Sequence, residues 1–254
     1  MASELEGPRT AIVTGGAKRI GAALCRALAE DGWHLLIHCR NSVAEGEALA
    51  GELGNARIVA ADLAEPQSVD TIVGALAGLP PPRLLVNNAS LFAYDSADAF
   101  TVEQFDRHIA VNLRAPALLS RAFAASAPRE GLVVNLLDAK LALPNPDFFT
   151  YTLSKIGHAG MAELHARQWA GQGIRVCGIA PSVTLVSGPQ SRANFDRVHA
   201  LNALHRGVRV EEIVAALRFI IATPTITGQT LVLDGGQRFL GLPRDVQFLE
   251  QGNE

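Results

Sequence analysis

Long apolar runs, excess positive charge and paired cysteines are all missing from this 254-residue sequence. Without a run of about 18 apolar residues there is no candidate membrane span, and the acidic, polar start of the chain does not resemble a signal peptide. A formal net charge of −3 provides no general attraction to nucleic acid or to an anionic membrane. We therefore expect a cytoplasmic protein, with a small molecule as its partner and neither nucleic acid nor membrane.

Metal and disulfide sites are also not indicated. Cys25, Cys39 and Cys177 are far apart and form no CxxC pair, which fits a reducing compartment. The seven histidines form no metal-ligand set, and His34 and His38 share one strand face, where packing is the usual reason. We assign no metal.

What the chain does have is a regular alternation of short apolar runs and helical segments. The predicted strands lie in "RTAIVTG", "HLLIHCR", "ARIVAADL", "RLLVNNAS", "GLVVNLL", "IRVCGIAP" and "TGQTLVLDGG". The predicted helices lie in "RIGAALCRALAEDG", "VAEGEALAGELG", "PQSVDTIVGALAGL", 101–127, 149–171 and 210–222. This pattern predicts one domain over 1–254, an α/β fold with a doubly wound, Rossmann-type sheet of seven parallel strands and helices on both faces. Residues 182–208 are polar and too long for an ordinary connection, so we interpret them as a lid-like insertion over a site.

The turn after the first strand, "TGGAKRIG", is a candidate dinucleotide site. Glycines at this position let the backbone approach a pyrophosphate at the positive N-terminus of a helix. By itself the turn could be an ordinary strand-to-helix connection, but its place at the first turn of the alternating pattern favours binding. The candidate residues are Gly15, Lys18, Arg19, Ile20 and Gly21.

The end of the second strand, "IHCRNS", bears on which dinucleotide is bound. A carboxylate here holds a ribose 2′-hydroxyl, whereas a basic group accommodates a 2′-phosphate. His38, Arg40, Asn41 and Ser42 include a cation and no carboxylate, and the basic turn adds charge, so we predict NADP rather than NAD. The alternative is that Arg40 merely faces water.

Tyr151 and Lys155 are four residues apart and so share one face of a predicted helix. A neighbouring cation stabilises phenolate and would bring the tyrosine pKa, ordinarily near 10, closer to a range useful for proton transfer. An isolated pair of this kind would be read as a surface pair. The accompanying motifs, each at a strand end or a helix start, favour a site: "TGGAKRIG", "ADL", "NNAS", "VNL" and "LDGG".

Together these motifs resemble the short-chain dehydrogenase/reductase family over nearly the whole chain. The resemblance implies that Tyr151 donates a proton, that Lys155 binds the nicotinamide ribose, and that Asn112 joins a proton relay through a helix kink and water. It further implies that the cofactor contacts Asp62, Leu63, Asn88, Ala89, Ser90, Pro181 and Ser182. It also implies a homo-oligomer, and we expect a tetramer built through the 101–127 and Tyr151 helices and the last strand.

Two departures from the general pattern narrow the resemblance. Arg19 stands where the middle glycine of the turn is usual, and Asp138 stands where a serine is usual. Both are similar to pteridine reductases and bacterial dihydromonapterin reductases, in which a phenylalanine after "NNAS", here Phe92, stacks a pterin on the nicotinamide. The resemblance implies substrate contacts from Arg19, Ser90, Phe92, Asp138 and Tyr151. "NNASLFAY" is only an approximate copy, and Ser182 replaces a commoner glycine.

The acid at 138 favours one chemistry over another. Reducing a ketone develops negative charge on oxygen, which neutral donors stabilise and a carboxylate repels. Reducing the C=N bond of a pterin requires protonation of a ring nitrogen, for which an acid is useful. We therefore expect an NADPH-dependent reductase of a pteridine C=N bond. Open alternatives are a carbonyl reductase that tolerates Asp138 and a catalytically quiet NADPH-binding protein. Asp138 could instead cap the loop after the fifth strand, and Phe92 could be a core residue.

Overall fold

The computed structural model describes residues 7–127, 130–187 and 190–249. Seven strands form one parallel sheet, as predicted, and their order is β3-β2-β1-β4-β5-β6-β7. The strands are β1 Thr10–Val13, β2 His34–Cys39, β3 Ala56–Ala60, β4 Pro82–Asn87, β5 Leu132–Leu136, β6 Arg175–Pro181 and β7 Thr230–Leu233. The order reverses between β1 and β4. In open parallel sheets such a reversal opens a crevice at the carboxyl ends of the strands, where ligands bind.

Helices cover both faces of the sheet. They are α1 Arg19–Glu30, α2 Val43–Leu53, α3 Ser68–Gly74, α4 Val102–Ile109, α5 Ala115–Ser126, α6 Phe149–Trp169, α7 Arg192–Val198 and α8 Val210–Ala222. Leu28 of α1 and Leu217 of α8 belong to the apolar core on one face, and Phe123 of α5 and Trp169 of α6 to the core on the other. Because both faces are covered, all five residues of β5 are buried.

Two helices differ from their predicted lengths. The segment predicted to be one helix over 101–127 has a π-helical turn, Ala110–Arg114, between α4 and α5. The ring nitrogen of Pro116 has no hydrogen to donate to the carbonyl of Asn112, four residues earlier, which removes one α-helical hydrogen bond at this point. Helix α3 ends at Gly74, before the expected end of its segment. Glycine disfavours a helix interior, and Gly78 adopts a φ of +77° that a helix cannot contain.

The predicted lid region is a loop that contains the short helix α7. Residues 188 and 189 within it lie outside the described part of the chain. Val183, Thr184 and Leu185 line the cavity described below. That this region acts as a lid over a binding site stays a prediction.

Candidate active site

A cavity of about 780 Å³ lies at the carboxyl ends of the strands. Phe92 and Asp138 line it, together with all the predicted cofactor residues except Lys155. These are Gly15, Lys18, Arg19, Ile20, Gly21, His38, Arg40, Asn41, Ser42, Asp62, Leu63, Asn88, Ala89, Ser90, Tyr151, Pro181 and Ser182. Residues dispersed over most of the sequence therefore meet in one place.

The Gly-rich turn is tightly built. Gly15 has a φ of +61°, and a Cβ added to Gly21 would lie 2.2 Å from the Gly15 carbonyl oxygen. Arg19, at the usual glycine position, has a φ of +55°, a conformation that glycine adopts more readily. Lys18 at the N-cap of α1 makes no side-chain capping hydrogen bond, and the first turn has no acidic residue. The helix therefore presents its N-terminal N–H groups without a side-chain cap.

Two side chains hold this turn in place. The Asn88 amide donates to the carbonyl oxygens of Thr14 at 2.8 Å and Gly15 at 3.1 Å. The Nδ1 atom of His38 is 3.2 Å from the Gly15 N–H, and its Nε2 atom is 3.0 Å from the Ala61 carbonyl oxygen. These partners fit the neutral tautomer with the proton on Nε2. Burial lowers the His38 pKa, so His38 borders the cavity as a neutral group that orients the turn.

A carboxylate that the sequence analysis did not consider lies shortly after the end of β2, outside the residues that line the cavity. Glu45, in the first turn of α2, forms an ion pair with Lys18, and both side chains are about half exposed. The hydrogen bond from Lys18 lowers the Glu45 pKa. Arg40 is exposed at the same edge of the cavity. Sequence reasoning missed Glu45 because an acid in the first turn of a helix is ordinary.

Asp62, after β3, is held at the cavity edge by the Ala64 N–H at 2.9 Å and by Arg107 at 3.2 Å. The hydrogen bond from Ala64 lowers the Asp62 pKa, and the positive charges of Arg107 and Arg40 lower it further. Asp62 is therefore preorganised as an acceptor on the side of the cavity that also contains Arg40.

Tyr151 and Asp138 are in direct contact. The Tyr151 hydroxyl donates to Asp138 Oδ2 at 2.7 Å, and Asp138 Oδ1 accepts from the Lys140 N–H at 2.8 Å. Asp138 therefore both caps the turn after β5 and binds the tyrosine, so the two interpretations of this residue hold together.

The expected lowering of the tyrosine pKa is not found. Burial raises the Tyr151 pKa well above its usual value, and the charges of Asp138 and Asp245 raise it further. Tyr151 is thus a protonated hydroxyl at neutral pH.

Lys155 lies behind the tyrosine, outside the lining of the cavity. Its Nζ atom is 5.9 Å from the centre of the Tyr151 ring and donates to the Leu136 carbonyl oxygen at 2.8 Å. Burial lowers the Lys155 pKa to about 8, while the charge of Asp138 acts in the opposite direction. The Lys155 ammonium group therefore loses its proton near pH 8.

Asn112 lies in the π-helical turn between α4 and α5, whereas Lys155 lies on α6. Its side chain donates to the Leu91 carbonyl oxygen at 2.9 Å and to Ser154 Oγ at 3.0 Å, and accepts from the Leu91 N–H at 2.7 Å. The side chain thus fastens the segment after β4 to α6.

With this geometry in view, the comparisons with known proteins identify the family. A family model described as short chain dehydrogenase matches residues 9–196. The chain belongs to this family. D-threitol dehydrogenase from Mycolicibacterium smegmatis is 32% identical over 241 residues, which cover 90% of this chain and 92% of that protein.

Two solved structures are more similar in sequence. The FolM alternative dihydrofolate reductase 1 from Brucella canis, crystallised with NADP, has a TM-score of 0.87 and 39% identity, covering 91% of this chain and 94% of that one. The corresponding protein from Brucella suis, also with NADP, has a TM-score of 0.87 and 39% identity over 92% and 96%.

The first turn of α6, which carries Tyr151, is fixed by buried groups that the sequence did not predict. Asp95, after β4, accepts from the Thr150 N–H at 3.0 Å and from the Thr150 hydroxyl. That hydroxyl is also 2.7 Å from His108 Nδ1. Phe148, the N-cap residue, is buried with a φ of +54° and supplies no side-chain cap. In this short-chain dehydrogenase, Asp95 therefore provides the acceptor that the N-cap side chain of α6 does not supply, although it is distant in the sequence.

Phe92 lines the cavity beside Tyr151. Its ring stacks on Phe148 with centroids 4.2 Å apart and meets the edge of Tyr151 at 4.8 Å. Phe92 is only partly buried. It therefore both packs against the protein and faces the cavity beside the tyrosine.

The C-terminal segment 242–247, which we call the C-terminal wall, forms part of the cavity lining. Leu242, Arg244, Asp245, Val246 and Gln247 all line the cavity. Arg244 binds the Asp147 carboxylate in a bidentate fashion, with contacts of 2.8 Å. Asp245 lies 3.6 Å from Lys140 Nζ. Sequence reasoning assigned no role here because the segment has neither periodicity nor motif.

In the parts of the chain that the structure describes, no group of three His, Cys, Asp or Glu side chains is placed to hold a metal ion. Over the same residues, no helix has the length and apolar character to cross a membrane.

Proposed function

We propose that the protein is an NADPH-dependent reductase that acts on the C=N bond of a pteridine, such as a dihydropterin. The observation that carries the proposal is the 2.7 Å hydrogen bond from Tyr151 to Asp138 in a cavity bordered by Phe92. The 39% identity to a FolM alternative dihydrofolate reductase 1 that was crystallised with NADP supports it. NADPH supplies the hydride in this reaction.

The residues present fit that cofactor. The uncapped N-terminus of α1 beside Gly15 and Gly21 suits a pyrophosphate, because its N–H groups have no side-chain acceptor. Arg40 and Arg19 would bind the 2′-phosphate and balance the negative charge of the neighbouring phosphates of the cofactor. Asp62 and Leu63 would contact the adenine, and Lys155 the nicotinamide ribose.

Tyr151 is the proton donor in this proposal. Its raised pKa keeps the proton on the hydroxyl at neutral pH until a basic ring nitrogen of the substrate accepts it. Asp138 orients the hydroxyl through the 2.7 Å hydrogen bond and accepts from N–H groups of the substrate. Asn112 holds α6 against the segment after β4, and Ser90 and Phe92 position the ring.

Asp138 is the reason for preferring a ring nitrogen over a carbonyl oxygen. An oxygen that gains negative charge beside a carboxylate is destabilised, whereas a nitrogen that gains a proton is not. A carbonyl reductase is the second candidate, because D-threitol dehydrogenase is 32% identical over 90% of the chain. The two candidates differ in the charge that develops next to Asp138.

The test is a panel of 7,8-dihydropterins and simple ketones, each mixed with NADPH and followed by absorbance. We expect turnover of dihydropterins and weak or no turnover of ketones. Phe92→Ala should weaken dihydropterin binding severalfold and leave NADPH affinity nearly unchanged, because ring stacking contributes about 0.5–1.5 kcal/mol beyond burial. Reduction of ketones alone, or normal pterin binding by Phe92→Ala, would contradict the proposal.

A further inference from the structure

Asp138 is not the only acid that lines the cavity. Asp245, from the C-terminal wall, lines the same cavity, and its side chain is 16% exposed. Asp245 Oδ1 accepts from the Gln247 N–H at 3.1 Å, which fixes the carboxylate in place. The main chain of Asp245 is fixed as well, since its N–H donates to Asp147 Oδ2 at 2.8 Å.

The charges around Asp245 leave it incompletely neutralised. Lys140 is 3.6 Å away, but its ammonium also donates to the Asp147 carbonyl oxygen. Arg244, the preceding residue in the sequence, binds the Asp147 carboxylate. Burial raises the Asp245 pKa, the Gln247 N–H and Lys140 oppose this, and Asp138 and Asp147 raise it further. Burial lowers the Lys140 pKa and the charges of Asp245 and Asp138 raise it, so these two acids that line the cavity share the charge of Lys140.

The charge of Asp245 acts on the reacting region. Asp245 and Tyr151 line the same cavity. Burial and Asp138 raise the Tyr151 pKa most, and the charge of Asp245 raises it further. In the proposed reaction the bond to be reduced must lie next to that hydroxyl. A substituent on that bond therefore experiences the field of Asp245.

Resting on the proposed function, we propose that Asp245 is a specificity-determining residue that disfavours substrates with a carboxylate next to the reduced bond. Neutral substituents with O–H or N–H donors are favoured, because the carboxylate can accept from them. Two like charges in a partly buried site repel each other strongly, since the effective dielectric constant there is far below that of water.

The experiment uses two matched substrate pairs and NADPH. The first pair is 6-hydroxymethyl-7,8-dihydropterin and 7,8-dihydropterin-6-carboxylate. The second is glycolaldehyde and glyoxylate, in which the hydroxymethyl or carboxylate group is bonded directly to the aldehyde carbon. In each pair the quantity measured is the ratio of kcat/KM for the anionic member to kcat/KM for the neutral one.

Asp245→Asn retains an oxygen for the Gln247 N–H and removes the charge. We expect it to raise the ratio about three- to thirtyfold, which is the range for one unit charge at an effective dielectric constant near 20 with partial screening. Lys140→Gln should lower the ratio, because it removes the opposing charge. Asp70→Asn, an exposed acid on α3, is the charge-matched control and should leave the ratio unchanged.

Opposite signs for Asp245→Asn and Lys140→Gln separate an electrostatic role from a loss of folding, which would lower kcat/KM for both members of a pair. An unchanged ratio in Asp245→Asn overturns the inference. If the parent reduces only the aldehydes, the proposed pteridine function fails. The inference about Asp245 is then tested by the kcat/KM ratio of the aldehyde pair alone. If the parent reduces neither pair, both proposals fail.

Discussion

At the end of β2, Arg40 is exposed at the cavity edge, while the adjacent Lys18 is held by Glu45. Arg40 is therefore the basic residue at this position best placed to receive a 2′-phosphate. We expect Glu45, which forms the ion pair with Lys18, to weaken phosphate binding, because a carboxylate repels a phosphate.

We predict that NADPH is preferred over NADH and that Arg40→Asp abolishes or inverts this preference. Glu45→Gln should strengthen the preference modestly, because it removes the repulsion and releases Lys18. The measurement is kcat/KM with each cofactor at fixed substrate. Equal efficiency of the parent with NADPH and NADH would contradict the prediction.

The charge state of Lys155 should make the activity depend on pH. Because its folded pKa is about 8, its cationic form predominates below that pH and is lost above it. We therefore predict that kcat/KM falls as pH rises through about 8. In Asp138→Asn the fall should move to lower pH, since the charge of Asp138 is what raises the Lys155 pKa. Activity profiles from pH 6 to 10 test this, and an unshifted fall in the variant would contradict it.

At the scale of elements, the position of Tyr151 depends on how α6 begins. Its N-cap residue, Phe148, provides no capping side chain, and Asp95 accepts from the Thr150 N–H instead. Helix α4 begins differently, with a local capping box formed by Thr101 and Gln104. The two helix starts therefore form a natural pair for comparison.

We predict that Asp95→Ala destabilises the protein by about 1–3 kcal/mol, because it leaves buried donors unpaired. It should also lower kcat, since the next residue after Thr150 is Tyr151. Thr101→Ala should lower stability by about 0.5–2 kcal/mol and leave kcat unchanged. Urea unfolding and steady-state kinetics on both variants make the test. Equal effects on kcat would mean that Asp95 has no positioning role.

Some of this site could be predicted from the sequence and some could not. Tyr151 and Asp138 could be paired because a helix face and a strand end have regular geometry. Arg19 was flagged because it replaced an expected glycine, and its φ of +55° agrees. Asp95 and Asp245 lie in irregular segments. These segments have no helical or strand periodicity from which their contacts with distant residues could be predicted. The raised Tyr151 pKa depends on burial, on Asp138 and, to a smaller extent, on Asp245, so the Tyr151 and Lys155 spacing alone gave the wrong direction.

On the scale of the whole molecule, several large apolar side chains remain exposed on a single chain. On α6, Leu153, Ile156 and Leu164 are 37%, 46% and 67% exposed. At the β7 edge of the sheet, Phe219 of α8 and Val232 of β7 are 50% and 39% exposed. Contiguous exposed apolar surface is typical of sites where subunits associate.

We therefore predict a homo-oligomer, and by resemblance to the family a tetramer of the 26.9 kDa chain. Leu164→Glu should weaken association, because it places a charge on the exposed face of α6. Ala48→Glu, at an exposed position on α2, adds the same single charge away from the predicted interface and is the control for a surface change alone. Light scattering at micromolar concentration measures the mass, and a monomeric parent would contradict the prediction.

The central claim is that Asp138 suits protonation of a ring nitrogen and opposes reduction of a carbonyl. The most direct measurement is kcat/KM of Asp138→Ser with 7,8-dihydrobiopterin and with a simple β-ketoester, both with NADPH. We predict a loss of roughly 10²–10⁴ for the dihydropterin, as is typical of an acid/base group, and equal or better reduction of the ketone. Unimpaired dihydropterin reduction by Asp138→Ser, or parallel losses for both substrates, would contradict the account.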